Sequence, residues 1–151
     1  MAFALALHLL GIIVWVGGMF FTIMVLRGAV NSALEPNERL LLMLKVFDGF
    51  FPWVWLSVML ILASGYWMLF FNFEEETTFW LGFMSLGGTL MAAIFVFIYA
   101  IPYNQLGNAL KSHDMPMAVS AITLIRQLIL TNLSLGIVIT VITLFGKYSL
   151  I

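Results

Sequence analysis

The sequence predicts an all-α fold: an integral-membrane, antiparallel four-helix bundle forming one domain over residues 1–151, with both termini outside the cytoplasm. Three observations predict it. Mean hydropathy is +1.13. Charged residues make up only 9% of the chain, where a soluble domain carries about a quarter. Four apolar stretches, each long enough to cross a hydrocarbon core of about 30 Å, alternate with short polar segments. In water this composition would expose large apolar surface, whereas in a bilayer lipid is the solvent. Four spans of roughly 20 residues leave no room for a sizeable soluble module.

The first span covers residues 2–26, about 37 Å if wholly helical. It has no Lys or Arg before Arg27, its apolar run is too long, and no small-residue cleavage site ends it. It therefore reads as a retained span rather than a signal peptide. Residues 28–40, with Asn31, Glu35, Pro36, Asn37, Glu38 and Arg39, read as the first loop. Residues 40–47 are apolar apart from Lys45. They read either as an interfacial approach or as the first turns of the second helix. Asp48 and Gly49 interrupt that run, and Pro52 falls where a first-turn proline is tolerated, so the second span is set at 50–71. Residues 72–78 form a short loop holding Glu74, Glu75 and Glu76, a solvated run or a weak cation-attracting lip. The third span is 79–101, followed by a loop from Pro102 to Pro116. The fourth is 118–145, its first turns at the interface.

Orientation follows from the cations. Arg27, Arg39, Lys45, Lys111 and Arg126 lie on one side, and of the 6 positive residues only Lys147 lies on the other. The crowded side should be the cytoplasm. Trp67 and Trp80 lie near span ends, as an interfacial aromatic belt requires, while Trp53 and Trp55 suit either the belt or packing on a neighbour.

Small and polar residues should mark helix contacts, since lipid gives helices no hydrophobic reason to associate. Such stripes occur at His8, Gly11, Trp15, Gly18 and Thr22, at Ser57 and Ser64, at Gly82, Ser85, Thr89 and Ala93, and at Asn132, Gly136 and Thr140. All four are expected to face a common centre. Asn132 should bond across it as structural glue.

His8 is the only histidine within a span. Neutral imidazole ligates copper or haem iron or relays a proton, and it also serves as a plain hydrogen-bonding group between helices. Gly11 and Gly18 flank Trp15 on the same face, leaving room for a neighbouring helix or for a flat cofactor. Arg27 and Arg126 either snorkel to headgroups or bind an anion such as a haem propionate or a lipid phosphate. They should lie at the end opposite His8. His113, Asp114, Met115, Pro116 and Met117 form a weak copper-like segment of imidazole and thioether. With no cysteine, disulfides and thiolate-ligated metal are excluded. A net charge of -1 gives no sign of nucleic-acid binding. Phosphate-loop, metalloprotease and nucleophile-elbow motifs are absent.

The run from His8 through Trp15, Gly17 and Gly18 to Arg27 resembles the first-helix signature of the copper resistance protein D family. So do Phe51-Pro52-Trp53-Val54-Trp55, Ser64-Gly65-Tyr66-Trp67, Tyr99 with Pro102, and Ile125-Arg126-Gln127-Leu128 with Asn132, Leu135 and Gly136. The likeness to small four-helix bacterial members covers most of the chain. It implies a multi-pass protein of the bacterial inner membrane, with periplasmic termini and a role in copper handling or transfer. His8, Trp15, Gly18 and Arg27 are also similar to the first helix of the membrane protoporphyrinogen oxidase family, which implies haem b on His8. The departures are at Phe97, near which many small relatives carry another histidine, and at Glu74 to Thr78, where they often carry one too. Haem would then be held by His8 with a weaker partner or by two copies of His8 in a homodimer, or no cofactor binds, while Met1, Met19, Met68 or Met84 offer thioethers for copper. Three expectations result: metal handling at His8, a haem redox protein or oxidase held by His8, Trp15, Gly11, Gly18, Arg27 and Arg126, or a cofactor-free accessory subunit. The partners expected are membrane lipid and, for the last, a larger membrane complex.

Overall fold

Four helices of 30 to 36 residues are long and apolar enough to cross a membrane: Ala2–Ala33, Pro36–Phe71, Gly82–Lys111 and Met115–Phe145. The structure, a computed structural model, describes residues 2–71 and 75–148. In chain order the elements are α1 (Ala2–Phe21), a π-helical turn (Thr22–Leu26), α2 (Arg27–Ala33), α3 (Pro36–Phe71), α4 (Glu75–Ala100), α5 (Pro102–Lys111) and α6 (Met115–Tyr148). Together they form an all-α membrane bundle of four crossing rods.

Contacts fix the antiparallel register. His8 meets Ile61 and Ser64 of α3, and a Cβ at Gly18 would meet Phe50. Asn132 reaches Met91, and a Cβ at Gly87 would meet Ile139. The core runs along the axis through Trp15, Met19, Phe51, Val54, Met91, Phe95, Ile125 and Leu133. Phe95 stands edge-on to Trp15, Phe51 and Trp55, an aromatic cluster closing the middle of the bundle.

Several expected boundaries shift. The first loop shrinks to Leu34 and Glu35, because residues 28–33 continue the first rod and 36–49 begin the second. Residues 40–47 are therefore the first turns of the second helix. Asp48, Gly49 and Pro52 lie inside α3 without ending it. A proline within a membrane helix is tolerated where neighbouring groups and small backbone adjustments replace the lost bond. The expected third loop contains α5, with Pro102 in its first turn and Leu106 and Ala109 buried. Its periodicity is strong, but Asn104, Gly107 and Asn108 make it polar enough to read as a loop. Tyr103 donates to Asp48 and ties α5 to α3.

Two stripes behave as expected. His8, Gly11, Trp15 and Thr22 are buried, and so are Ser57 and Ser64. On α6 Asn132 and Gly136 are buried and Thr140 is exposed. On α4 the expected stripe is rotated off the core. Thr89 and Ala93 are exposed, and Met91, Ala92, Phe95 and Ile98 face inward instead. In an all-apolar helix small residues do not outrank larger ones for a place in the core. Trp53 is 59% exposed, whereas Trp55 packs on Phe95 and Tyr99.

The π turn alters the inward face of the first rod. One extra residue turns everything beyond it by about 100°. Thr22 and Val30 are accordingly buried 8 positions apart, where 7 separate His8 from Trp15 and Trp15 from Thr22. The Thr22 hydroxyl donates to the Gly18 carbonyl at 2.8 Å just before this turn.

Candidate functional site

His8 is 8% exposed, held between α1 and α3. Its Nδ1 lies 2.9 Å from the Ser64 hydroxyl and 3.1 Å from the Ile61 carbonyl. The Ser64 hydroxyl gives its own proton to the Leu60 carbonyl. Ser64 therefore has only a lone pair to offer Nδ1, and a carbonyl can only accept. The proton of the neutral ring must sit on Nδ1, leaving the Nε2 lone pair uncommitted by these partners. A histidine that ligates a metal through one nitrogen usually donates the other N–H to a carbonyl in this way. Gly65 permits the approach, since a Cβ there would lie 3.3 Å from the His8 ring.

Two small cavities border the imidazole. One, of about 30 Å³, is lined by His8, Met68, Met84, Ser85 and Gly88 among others. The other, of about 60 Å³, is lined by His8, Trp15, Met84, Gly88, Met91 and Thr140 among others. Met84 is common to both. Met68 and Met84 were legible in the sequence as thioethers at suitable depth. Met91 was not, because only helix register brings it to the cavity that His8 lines.

Gly11 and Gly18 serve helix packing. A Cβ on Gly11 would lie 2.8 Å from Ile61, and one on Gly18 would lie 2.0 Å from the Phe50 ring. Of the two occupants expected there, the neighbouring helix is the one this fold provides. Trp15 is 3% exposed within the aromatic cluster, between the His8 cavities and the lower bundle. A cavity of about 20 Å³ below it is lined by Trp15, Thr22, Phe51 and Asn132. Asn132 donates to the Met91 carbonyl at 3.1 Å, while its Oδ1 is buried with no partner among the described residues.

Arg27 and Arg126 meet at the far end of the bundle, lining one cavity of about 300 Å³ with Arg39. Arg39 was legible only as a loop cation. That cavity shares no lining residue with either cavity at His8. The 19 residues from His8 to Arg27 amount to about 28 Å of helix.

The dimensions at His8 do not fit haem. Cofactor pockets occupy about 300–1,000 Å³, far above the spaces at this imidazole, and the arginines expected to hold propionates lie at the other end. A dimer pairing two copies of His8 would require the buried ring to leave its seat. Phe97 is 43% exposed on the outside of α4. The segment from His113 to Met117 is a turn at His113 and Asp114 running into the first turn of α6. His113 has φ 58, and the Asp114 carboxylate accepts from the Met117 amide at 3.1 Å. Among the described residues no group of three His, Cys, Asp or Glu side chains converges on a metal position. The side chains of Glu74, Glu75 and Glu76 lie outside the described residues. Comparison of the chain with protein-family models, with curated proteins and with solved structures gives no match.

Proposed function

We propose that this chain is a bacterial inner-membrane protein of the copper resistance D type that binds Cu(I) as substrate at His8, entering from the periplasmic side. The observation that carries the reading is His8 Nδ1 set against the Ile61 carbonyl and Ser64, which leaves Nε2 as the uncommitted lone pair of a ring that borders Met-lined space. Imidazole and thioether are soft, neutral donors that suit Cu(I). With no carboxylate among the described residues lining either cavity, a divalent ion would keep its full charge in apolar surroundings, which is costly. A monovalent ion keeps half of that. The chemistry favours holding copper over conducting it. Below Trp15 lies the aromatic cluster, and beyond that stand three arginines that repel a cation.

A second reading has its own support. The His8 bonds to α3 also suffice as a structural clasp, which suits a cofactor-free accessory subunit of a larger membrane complex. One experiment separates the two. The detergent-purified chain is titrated anaerobically with Cu(I) against a chromophoric chelator, beside His8→Ala and Met84→Leu. Copper handling predicts one tightly held ion, lost in both variants and retained in Met24→Leu, whose methionine faces outward. A chain that holds no Cu(I), or holds it equally well in all four forms, would leave His8 as a clasp and favour the accessory role.

A further inference from the structure

We infer that the cavity at the cytoplasmic end of the bundle binds the phosphate headgroup of an anionic phospholipid, held by Arg27, Arg39 and Arg126. The inference is independent of what His8 does. The three guanidinium groups come from three separate elements, α2, the first turn of α3, and α6, and they line one space of about 300 Å³. Half of the 6 cations in the chain thus converge on one place. The π turn contributes directly, since the residues it rotates, Arg27, Val30 and Asn31, all line this cavity.

None of the four carboxylates at this end lines the cavity. Glu38 accepts from the Glu35 amide, Asp114 from the Met117 amide and Asp48 from Tyr103, while Glu35 is exposed. The arginines therefore face the cavity with their charge uncompensated. Guanidinium forks match phosphate oxygens two at a time. Arg39 also donates to the Leu34 carbonyl, which orients its side chain and joins it to the α2–α3 turn.

The remaining wall selects the source of the phosphate. Val30, Leu40, Met43, Val119 and Ile122 are apolar. Beyond the arginines and the polar Thr22, Asn31 and Thr123, the wall is apolar throughout, which matches the carbons of a lipid better than a free hydrated phosphate. Depth agrees. The first rod has 32 residues, about 48 Å of helix, against a hydrocarbon core of about 30 Å and about 40–45 Å with headgroups. Its end therefore lies at headgroup level. A zwitterionic lipid would bring its own cation against three arginines, so the charge favours an anionic headgroup.

The full-length chain is reconstituted in phosphatidylcholine nanodiscs doped with phosphatidylglycerol, and lipid retained after release from the disc is read by native mass spectrometry. The wild type should retain phosphatidylglycerol in preference to phosphatidylcholine. The double variant Arg27→Gln/Arg126→Gln should weaken that retention about 25-fold, about fivefold for each cation removed. Arg39 is left unchanged because its bond to Leu34 is structural. The control Lys45→Gln/Lys111→Gln loses the same net charge outside the cavity and should retain lipid as the wild type does. Thermal unfolding in pure phosphatidylcholine should be the same for all three proteins, separating loss of binding from loss of fold. Equal retention of both lipids by the wild type, or equal loss in the two double variants, would overturn the inference. So would release of phosphatidylglycerol by millimolar inorganic phosphate, which would make the site one for a soluble anion.

Discussion

Gly11→Ala and Gly17→Ala add the same methyl group to the same helix in two different surroundings. At Gly11 the new Cβ would lie 2.8 Å from Ile61 Cγ1 and 3.1 Å from the Ser57 carbonyl oxygen, so both a branched side chain and the backbone of α3 resist it. At Gly17 it would meet nothing within 4 Å. Replacing glycine by alanine inside a helix gains about 1 kcal/mol of propensity, and this cancels when the two variants are compared. What remains is the cost of forcing a methyl into a packed contact, about 1–3 kcal/mol. Gly11→Ala should therefore unfold more easily than Gly17→Ala by that amount, with Gly17→Ala at or slightly above the wild type. The assay is a dodecyl sulfate titration of the micellar protein, followed by far-ultraviolet ellipticity and by fluorescence, since Trp15 reports on the core. Ile61→Ala should cost less in the Gly11→Ala background than in the wild type, because the two changes share one contact. Identical midpoints for the two glycine variants would refute the packing of α1 against α3 described above.

Two further outcomes are expected. Asn132→Leu should change stability by less than about 1 kcal/mol in the same titration, because the lost bond to Met91 averages about 0.6 kcal/mol in membrane bundles and the unpartnered Oδ1 disappears with it; a loss above about 2 kcal/mol would mean that Oδ1 has a partner such as bound water. Because the natural chain has no cysteine, single-cysteine labelling of spheroplasts can report orientation. Ala2→Cys should react with an impermeant maleimide, and Ser32→Cys and Ser112→Cys should react only after lysis, while the reverse pattern would invert the bundle.

Hydropathy and length, both local quantities, were enough to read four spans, because a bilayer demands about 20 apolar residues wherever a helix crosses. The buried stripe from His8 to Thr22 was legible for a similar reason. Its histidine, glycines and tryptophan stand out against leucine, isoleucine and valine at helical spacing. The separation of His8 from Arg27 followed from counting residues along one rod, and that of His8 from Arg126 from the alternating direction of the spans.

Only the tertiary structure decided which apolar face turns inward. In a soluble helix the outward face is polar and reveals the inward one, whereas here lipid and core are equally apolar, so shape alone chooses. That is why the inward face of α4 centres on Met91 and Phe95 rather than on Thr89 and Ala93. The same limit hid the continuity of α3 through Pro52 and the rotation imposed by the π turn, since both depend on what packs beside the backbone. It also hid the full membership of the two assemblies of most chemical interest, Met91 in one and Arg39 in the other. His8 with Met84 and Met91, and Arg27 with Arg39 and Arg126, each join residues far apart in sequence. Their meeting is set by helix register, which no single helix encodes.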